Sequence, residues 1–468
     1  MGRSHGTAAT PRVRSSAGRC AAAASADART ELPHLLAGNA GAARYALGRA
    51  SAAGLWAGSG ASHGSARPAD MTERKGHRLW QPPRGPGEQR QQRVVGPLEL
   101  FYDLVVVVLV GQAAHHLTEH LSWSGVGEFA AVFALVWIAW LNGTVHHELH
   151  GREDARTRVL VLVQIFVLVP LGAFIPKVGG ANGARFAIDA GILFAVLAII
   201  WMLAGRRNPP GWRVPNRLYV TMTAGCAVVL LASAFLSPGA RLLVWGLLAA
   251  SSLVEVAVVI ALFPQSQPEI LWFTDALRER FALLVIIVLG EVVTGVVTGL
   301  SDEPISALNL SVALVAVLVG FGAWWTYFDF AGHYRPRRTR VVTVQWMFTH
   351  LPLTGTVAAM GAAMVSLVGH AHDLRTPAAT AWVLCAGVAM VLSLTMLLVT
   401  GLEVWHRDRG RYLPVVRTCL VMALAAVALG PARPTPLVLA VVLVVLLGIP
   451  WAVAVARRAA LDNDTARP

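Results

Sequence analysis

Six polar side chains interrupt otherwise apolar sequence: Glu99, Asp103, Gln164, Glu291, Asp329 and His350. An ionised carboxylate at the centre of a bilayer costs about 2.5–3.5 kcal/mol even on lenient insertion scales, so each needs a partner, a cavity or a proton. Groups of this kind suit the passage of protons or ions. Glu99 and Asp103 are four residues apart and share one helix face. The competing reading there is a helix N-terminus at the membrane interface, where the dipole favours carboxylates. Glu291 lies about ten residues into its apolar run, near the expected midplane. It needs either an aqueous path or an ion pair, for which Arg417 is a candidate. His350 precedes Leu351 and Pro352, and a proline inside a helix frees a carbonyl. Gln164 and Pro170 repeat that polar, kinked arrangement in an earlier run. For Asp189, Glu255 and Asp329 a structural hydrogen bond competes with a functional role.

Histidines gather in two places: His115, His116 and His120, then His146, His147 and His150. His146 and His150 have the i, i+4 spacing of two metal ligands. The segment reads HHELH, however, with His147 where a zinc-protease helix carries its glutamate, and no third ligand is in view. Both groups are therefore expected at membrane interfaces, without metal. Cys20, Cys226, Cys385 and Cys419 form no close pair, which leaves neither a disulfide framework nor a zinc site. No glycine-rich phosphate loop, nucleophile elbow or CxxC pair appears, so an enzyme would lack a recognisable nucleophile, and no cofactor is expected.

The elements that must hold these residues are long apolar helices. Of 468 residues, 55% are hydrophobic and 14% charged, with mean hydropathy +0.57, against about 25% charged in soluble domains. The formal charge of +13 resides mostly in residues 1–96, which argues against a nucleic-acid surface. From residue 98, twelve apolar runs of about 19–24 residues recur, each long enough to cross about 30 Å of hydrocarbon. They cover roughly 98–117, 126–145, 158–176, 184–204, 217–236, 241–262, 280–300, 308–330, 346–369, 378–400, 412–430 and 436–456. With the N-terminus placed inside, inner segments hold about 25 Lys and Arg and outer loops about 5. The positive-inside rule then predicts both termini in the cytoplasm.

Residues 99–111 (ELFYDLVVVVLVG) align on 279–291 (ERFALLVIIVLGE) with about 6 identities in 13. Trp137 to Trp140 then corresponds to Trp324 to Tyr327, and Pro170 to Pro352, at similar offsets. Six spans return the chain to its starting side, so the expectation is an all-α polytopic protein of two parallel six-helix repeats. The expected divisions are a disordered basic tail over 1–96, repeats over 97–262 and 263–456, and a cytoplasmic tail over 457–468. Within the first, Met71 is the expected start of the protein proper, since residues 1–70 lack the apolar core of a signal peptide.

These segments resemble the bacterial low temperature requirement A family. Residues 99–117 are similar to its opening ELFxDLVFV motif, and 279–291 to its ERFGLFxIIxLGE motif. WWTYFDF at 324–330 and HLPL at 350–353 are similar to two later signatures. The resemblance implies a multi-pass protein of the bacterial inner membrane, linked by its family name to growth in the cold. It carries over to Glu99, Asp103, Glu279, Arg280, Glu291, Asp329 and His350. Val107, Val108 and the HHELHGRED segment depart from the family pattern. The leading expectation is a secondary transporter or an ion- or proton-coupled permease. Its partners would be the lipid bilayer and an unknown small solute or ion, moving along Glu99, Asp103, Gln164, Glu291, Asp329 and His350. The alternatives are a non-transporting protein of membrane homeostasis and a membrane-embedded enzyme.

Overall fold

The computed structural model describes residues 81–85, 95–152, 154–262 and 274–465. The rest of the expected N-terminal tail, including Met71, lies outside the described residues. The fold is all-α: α1 (Pro97–Glu119), α2 (Trp123–His150), α3 (Ala155–Phe174), α4 (Gly183–Gly205), α5 (Pro210–Ser233), α6 (Pro238–Leu262), α7 (Asp275–Ser301), α8 (Ala307–Tyr327), α9 (Arg340–Gly369), α10 (Ala378–Thr400), α11 (Glu403–Arg407), α12 (Arg409–Leu429) and α13 (Pro436–Thr465). All but the short α11 are long and apolar enough to cross a membrane, which gives the expected twelve spans among the described residues.

Side-chain caps explain why several helices outrun their apolar runs. Thr274 accepts from the amide of Leu277 at 3.0 Å, and Thr339 from that of Val342 at 3.3 Å. They start α7 and α9 five and six residues before the predicted spans, because a cap satisfies amide donors that hydropathy does not register. Pro97 and Pro210 sit in the first turns of α1 and α5, where a missing N–H costs nothing. At the end of α8 the ladder widens into a π-turn over Phe328–Gly332.

Helices α2, α9 and α10 bury most of their surface, whereas α5, α6, α12 and α13 face outward. The same neighbour plan occurs twice. In the first six helices α1 packs on α2 and α3, α3 on α4, α4 on α5, α5 on α6, and α2 on both α4 and α6. In the last six spans α7 packs on α8 and α9, α9 on α10, α10 on α12, α12 on α13, and α8 on both α10 and α13. The two sets meet where α1 and α2 face α7 and α9.

Lipid is as apolar as leucine, so close backbone approach rather than the hydrophobic effect holds such helices together. A Cβ on Gly295 would lie 2.0 Å from the carbonyl oxygen of Gly361, and one on Gly361 would lie 2.6 Å from that of Glu291. Both contacts are with backbone, which cannot swing aside. Replacing Gly295 or Gly361 by Ala should therefore push α7 from α9 and destabilise the bundle by about 1–3 kcal/mol, read by reversible unfolding in mixed micelles.

Within the lead-in expected to be disordered, residues 81–85 lie against the α2–α3 turn. The carbonyl of Arg84 meets His150 Nδ1 at 2.9 Å, and the amide of Gln81 donates to Asp154 Oδ2 at 2.8 Å. Asp154 also caps α3, accepting from the amide of Thr157 at 3.0 Å. Burial pushes its carboxyl up, but the amides of Thr157 and Gln81 outweigh that and hold it below its ordinary value. Its contribution is thus complete at neutral pH and is lost only as pH falls through that depressed value. Asp154→Ala should cost about 1 kcal/mol and speed trypsin cleavage after Arg84. The wild type should stay protected from about pH 7 to about pH 5.

Candidate functional site

Glu99 and Asp103 stand on the first two turns of α1, at the end of the bundle that carries most of the basic loops. The antiparallel neighbour α2 brings Trp140, Gly143 and His147 to the same level, and α3 brings Gln164. Parallel to α1, α7 contributes Arg280. The early start of α7 puts Arg280 inside the protein, 3% exposed, opposite an Asp103 with no exposed surface.

Arg280 makes a two-pronged contact with Asp103. Its Nε donates to Oδ2 at 3.2 Å, and Nη2 makes a shorter bond to Oδ1. Trp140 Nε1 donates to the same Oδ1 at 2.7 Å, and the guanidinium lies 5.9 Å from the centre of the Trp140 ring. Planar guanidinium and carboxylate match in this way, and the indole takes a lone pair that would otherwise be stranded. Glu99 completes the cluster. Its Oε1 lies 3.0 Å from His147 Nε2 and 4.0 Å from Arg280 Nη1, while Oε2 accepts the amide of Gly96 at 2.8 Å.

Beside these charges is a cavity of about 20 Å³, lined by Glu99, Tyr102, Gly143, His147, Gln164 and Arg280 together with Val161. That is room for one water-sized species. The hydroxyl of Tyr102 and Oε1 of Gln164 are buried without a hydrogen-bond partner among the described residues. A Cβ on Gly143 would lie 2.9 Å from both atoms, so a larger residue there would push these side chains out of place.

The structure therefore unites Glu99, Asp103 and Gln164 and separates the other three expected site residues from them. Glu291 packs on Gly111, whose Cβ would be 3.1 Å from its Oε1. Gly111 is eight residues beyond Asp103, about 12 Å along α1. Arg417, considered as its ion-pair partner, is exposed on α12. His350 is fully buried. Its Nε2 meets the Tyr327 hydroxyl at 3.0 Å, its Nδ1 meets the Trp346 carbonyl at 2.7 Å, and the Phe281 ring screens it from the cluster. Asp329 lies in the π-turn and accepts from Trp325 Nε1 at 2.7 Å. Of the residues given structural alternatives, Glu255 accepts from Thr223 at 3.5 Å, between α5 and α6. The i, i+4 pair His146 and His150 packs edge-to-face against Trp201, and His150 Nδ1 is taken by the Arg84 carbonyl.

Arg280 and His147 are not on the expected ion path: Arg280 enters the sequence reading only through the family resemblance, and His147 only as the departure from a zinc-protease helix. The available signal was the need of Asp103, one turn into a span, for a cation on a neighbouring helix.

Twelve membrane-length helices around a buried carboxylate–arginine–histidine cluster define a multi-pass integral membrane protein. Residues 94–449 match the model of the family described as bacterial low temperature requirement A protein (LtrA). The chain belongs to that family. It is also similar to an uncharacterized protein of Rhizobium meliloti (strain 1021), 24% identical over 297 residues that span 59% of this chain and 70% of the relative.

Removing one partner of a buried ion pair leaves an uncompensated charge, at a cost of about 3–5 kcal/mol, whereas replacing both by apolar groups is often neutral. Arg280→Leu should thus deplete folded protein in membranes. Asp103→Leu combined with Arg280→Leu should restore most of it, measured by fluorescence-detected size exclusion.

Proposed function

We propose that the protein is a secondary transporter or ion- or proton-coupled permease in which Glu99 and His147 form the exchanging pair and Asp103–Arg280 the fixed joint beside it. The observation that carries this reading is the water-sized cavity where the two sets of helices meet, edged by a carboxylate, an imidazole and two unpartnered polar atoms. Buried ionisable groups in membrane spans mark ion and proton paths more often than they serve as ornament of a fold. Glu291, at the α1–α7 contact, is the next carboxylate along the same seam and the second step of the proposed path.

The repeated neighbour plan supports two parallel six-helix repeats, over 97–262 and 263–456, with the transported species handled between them. The excess of Lys and Arg at the cluster's end of the bundle supports placing that end, and both termini, in the cytoplasm, with the chain in the bacterial inner membrane. The solute is small or is itself the ion. A second reading, a non-transporting role in membrane homeostasis, is favoured by the two-pronged Asp103–Arg280 contact, which suits a rigid joint.

The test is solute-driven proton movement in proteoliposomes carrying an internal pH dye, over a panel of ions and small solutes. Glu99→Gln and His147→Gln keep hydrogen bonding but alter proton exchange. Each is expected to insert normally and slow coupled flux at least about tenfold. Absence of coupled flux for the wild type across the panel, or full flux in both variants, overturns the reading.

A further inference from the structure

We infer that the end of α1 farthest from the charge cluster holds a divalent transition-metal site of the zinc class, built from His116, Glu119 and His120. His116 and Glu119 stand on the last turn of α1 and His120 caps its end, and each offers a ligand atom within 4.8 Å of the others. Two histidines four apart are the spacing of helical zinc ligands, where an intervening glutamate serves as base rather than ligand; here Glu119 lies close enough to both to ligate as well.

The observation that separates this group from an ordinary cluster of interfacial histidines is the state of His116. It is 4% exposed, and its Nε2 lies 3.1 Å from Glu128 Oε2 on α2. An ionised carboxylate only accepts, so in the neutral imidazole Nε2 carries the proton and Nδ1 keeps a lone pair. That Nδ1 is buried and has no hydrogen-bond partner among the described residues. A histidine that donates one ring N–H to a carboxylate and presents its other nitrogen unpaired is arranged as metal-bound histidines are, since the carboxylate fixes tautomer and ring orientation.

The α3–α4 loop closes over Glu128: a Cβ on Gly179 would lie 2.5 Å from both carboxylate oxygens, so a larger residue there would displace the carboxylate. The His120 ring lies 5.1 Å from that of His116. Tetrahedral zinc with bonds of about 2.0–2.1 Å sets its ligand atoms about 3.3 Å apart. Glu119 and His120 are exposed, and a rotamer adjustment of about 1.5 Å brings them to that spacing around the fixed His116. His115 is 3.7 Å from Glu119, too far for a hydrogen bond that would hold it back. Three protein ligands leave the fourth position to water, and imidazole with carboxylate selects zinc-like ions over calcium or magnesium. His116 is thirteen residues from Asp103, about 20 Å along α1, so this site stands independently of the proposed transport path.

The experiment is zinc binding to the full chain, purified with a histidine-free tag, stripped with chelator and dialysed against buffered Zn²⁺, with bound metal counted by mass spectrometry. Co²⁺ absorption serves as a second readout of tetrahedral nitrogen and oxygen ligation. One Zn²⁺ per chain is expected. His116→Ala and the exposed His120→Asn should each weaken it at least about 100-fold, and Glu128→Gln by about 10–100-fold. His146→Asn, in the other i, i+4 pair, should leave binding unchanged. His120→Asn alters an exposed side chain, so its effect reads ligation even if His116→Ala fails to fold. Undiminished binding in His120→Asn, no stoichiometric Zn²⁺ in the wild type, or loss of binding in His146→Asn overturns the site.

Discussion

The charge of Arg280 has to be answered inside the protein, and much of the architecture follows from that one requirement. A guanidinium 3% exposed among apolar helices is cut off from bulk water, and an unanswered charge there costs several kcal/mol. Asp103 answers it with two oxygens, Trp140 takes a further lone pair of the aspartate, and Glu99 stands behind. For these groups to meet, α1 and α7 must run side by side in one register, and α2 must cross with Trp140 and His147 facing the same seam. A buried pair adds little net stability over an apolar one. What it fixes is which residue of α7 stands opposite which residue of α1.

Farther along the same helices the seam is built differently. Gly111 accepts the Glu291 side chain against its bare backbone, while Gly295 and Gly361 let α7 and α9 touch backbone to backbone. Where side chains are removed, dispersion between main chains replaces the hydrophobic drive that lipid cannot supply. Between the charged and the glycine-lined stretches lies an aromatic tier in which Phe281 packs on Trp140 and His350. That tier explains why His350 bonds Tyr327 and its own helix rather than the cluster. The ring of Phe281 fills the space through which an approach would run.

The membrane helices were legible in the sequence because the signal is additive: twenty apolar residues speak louder than any local exception, and the basic loops check the number of spans independently. The site was legible in part. Glu99, Asp103 and Gln164 could be picked out as polar groups in apolar runs, and the structure joins them. Asp329 and His350 satisfy the same description, yet their partners Trp325 and Tyr327 are local to other helices, and sequence spacing cannot tell a hydrogen bond within one helix pair from a role in a shared cavity. The inward turn of Arg280, which only the family resemblance singles out, was illegible for the opposite reason. At the edge of an apolar run an arginine that snorkels to the surface and one that turns inward have the same neighbours in sequence. The segment over 81–85 was illegible because its order comes from main-chain bonds to His150 and Asp154, which leave no trace in composition.

The chemistry of the small cavity bears on what could occupy it. Gln164 donates its amide N–H to the Leu160 carbonyl at 3.0 Å, which turns its oxygen toward the cavity as an acceptor. Glu99 adds carboxylate acceptors, Tyr102 a hydroxyl that can give or receive, and Arg280 donors. An anion would meet the oxygens of Gln164 and Glu99 directly. A water, by contrast, can donate to those two and receive from Tyr102 or Arg280, meeting the two to four partners that a buried water requires. A water so placed also touches His147, whose imidazole lies within a hydrogen bond of Glu99. The wall is therefore suited to relaying a proton between imidazole and carboxylate, and its size sets the limit. The cavity's volume of about 20 Å³ holds nothing larger than a water.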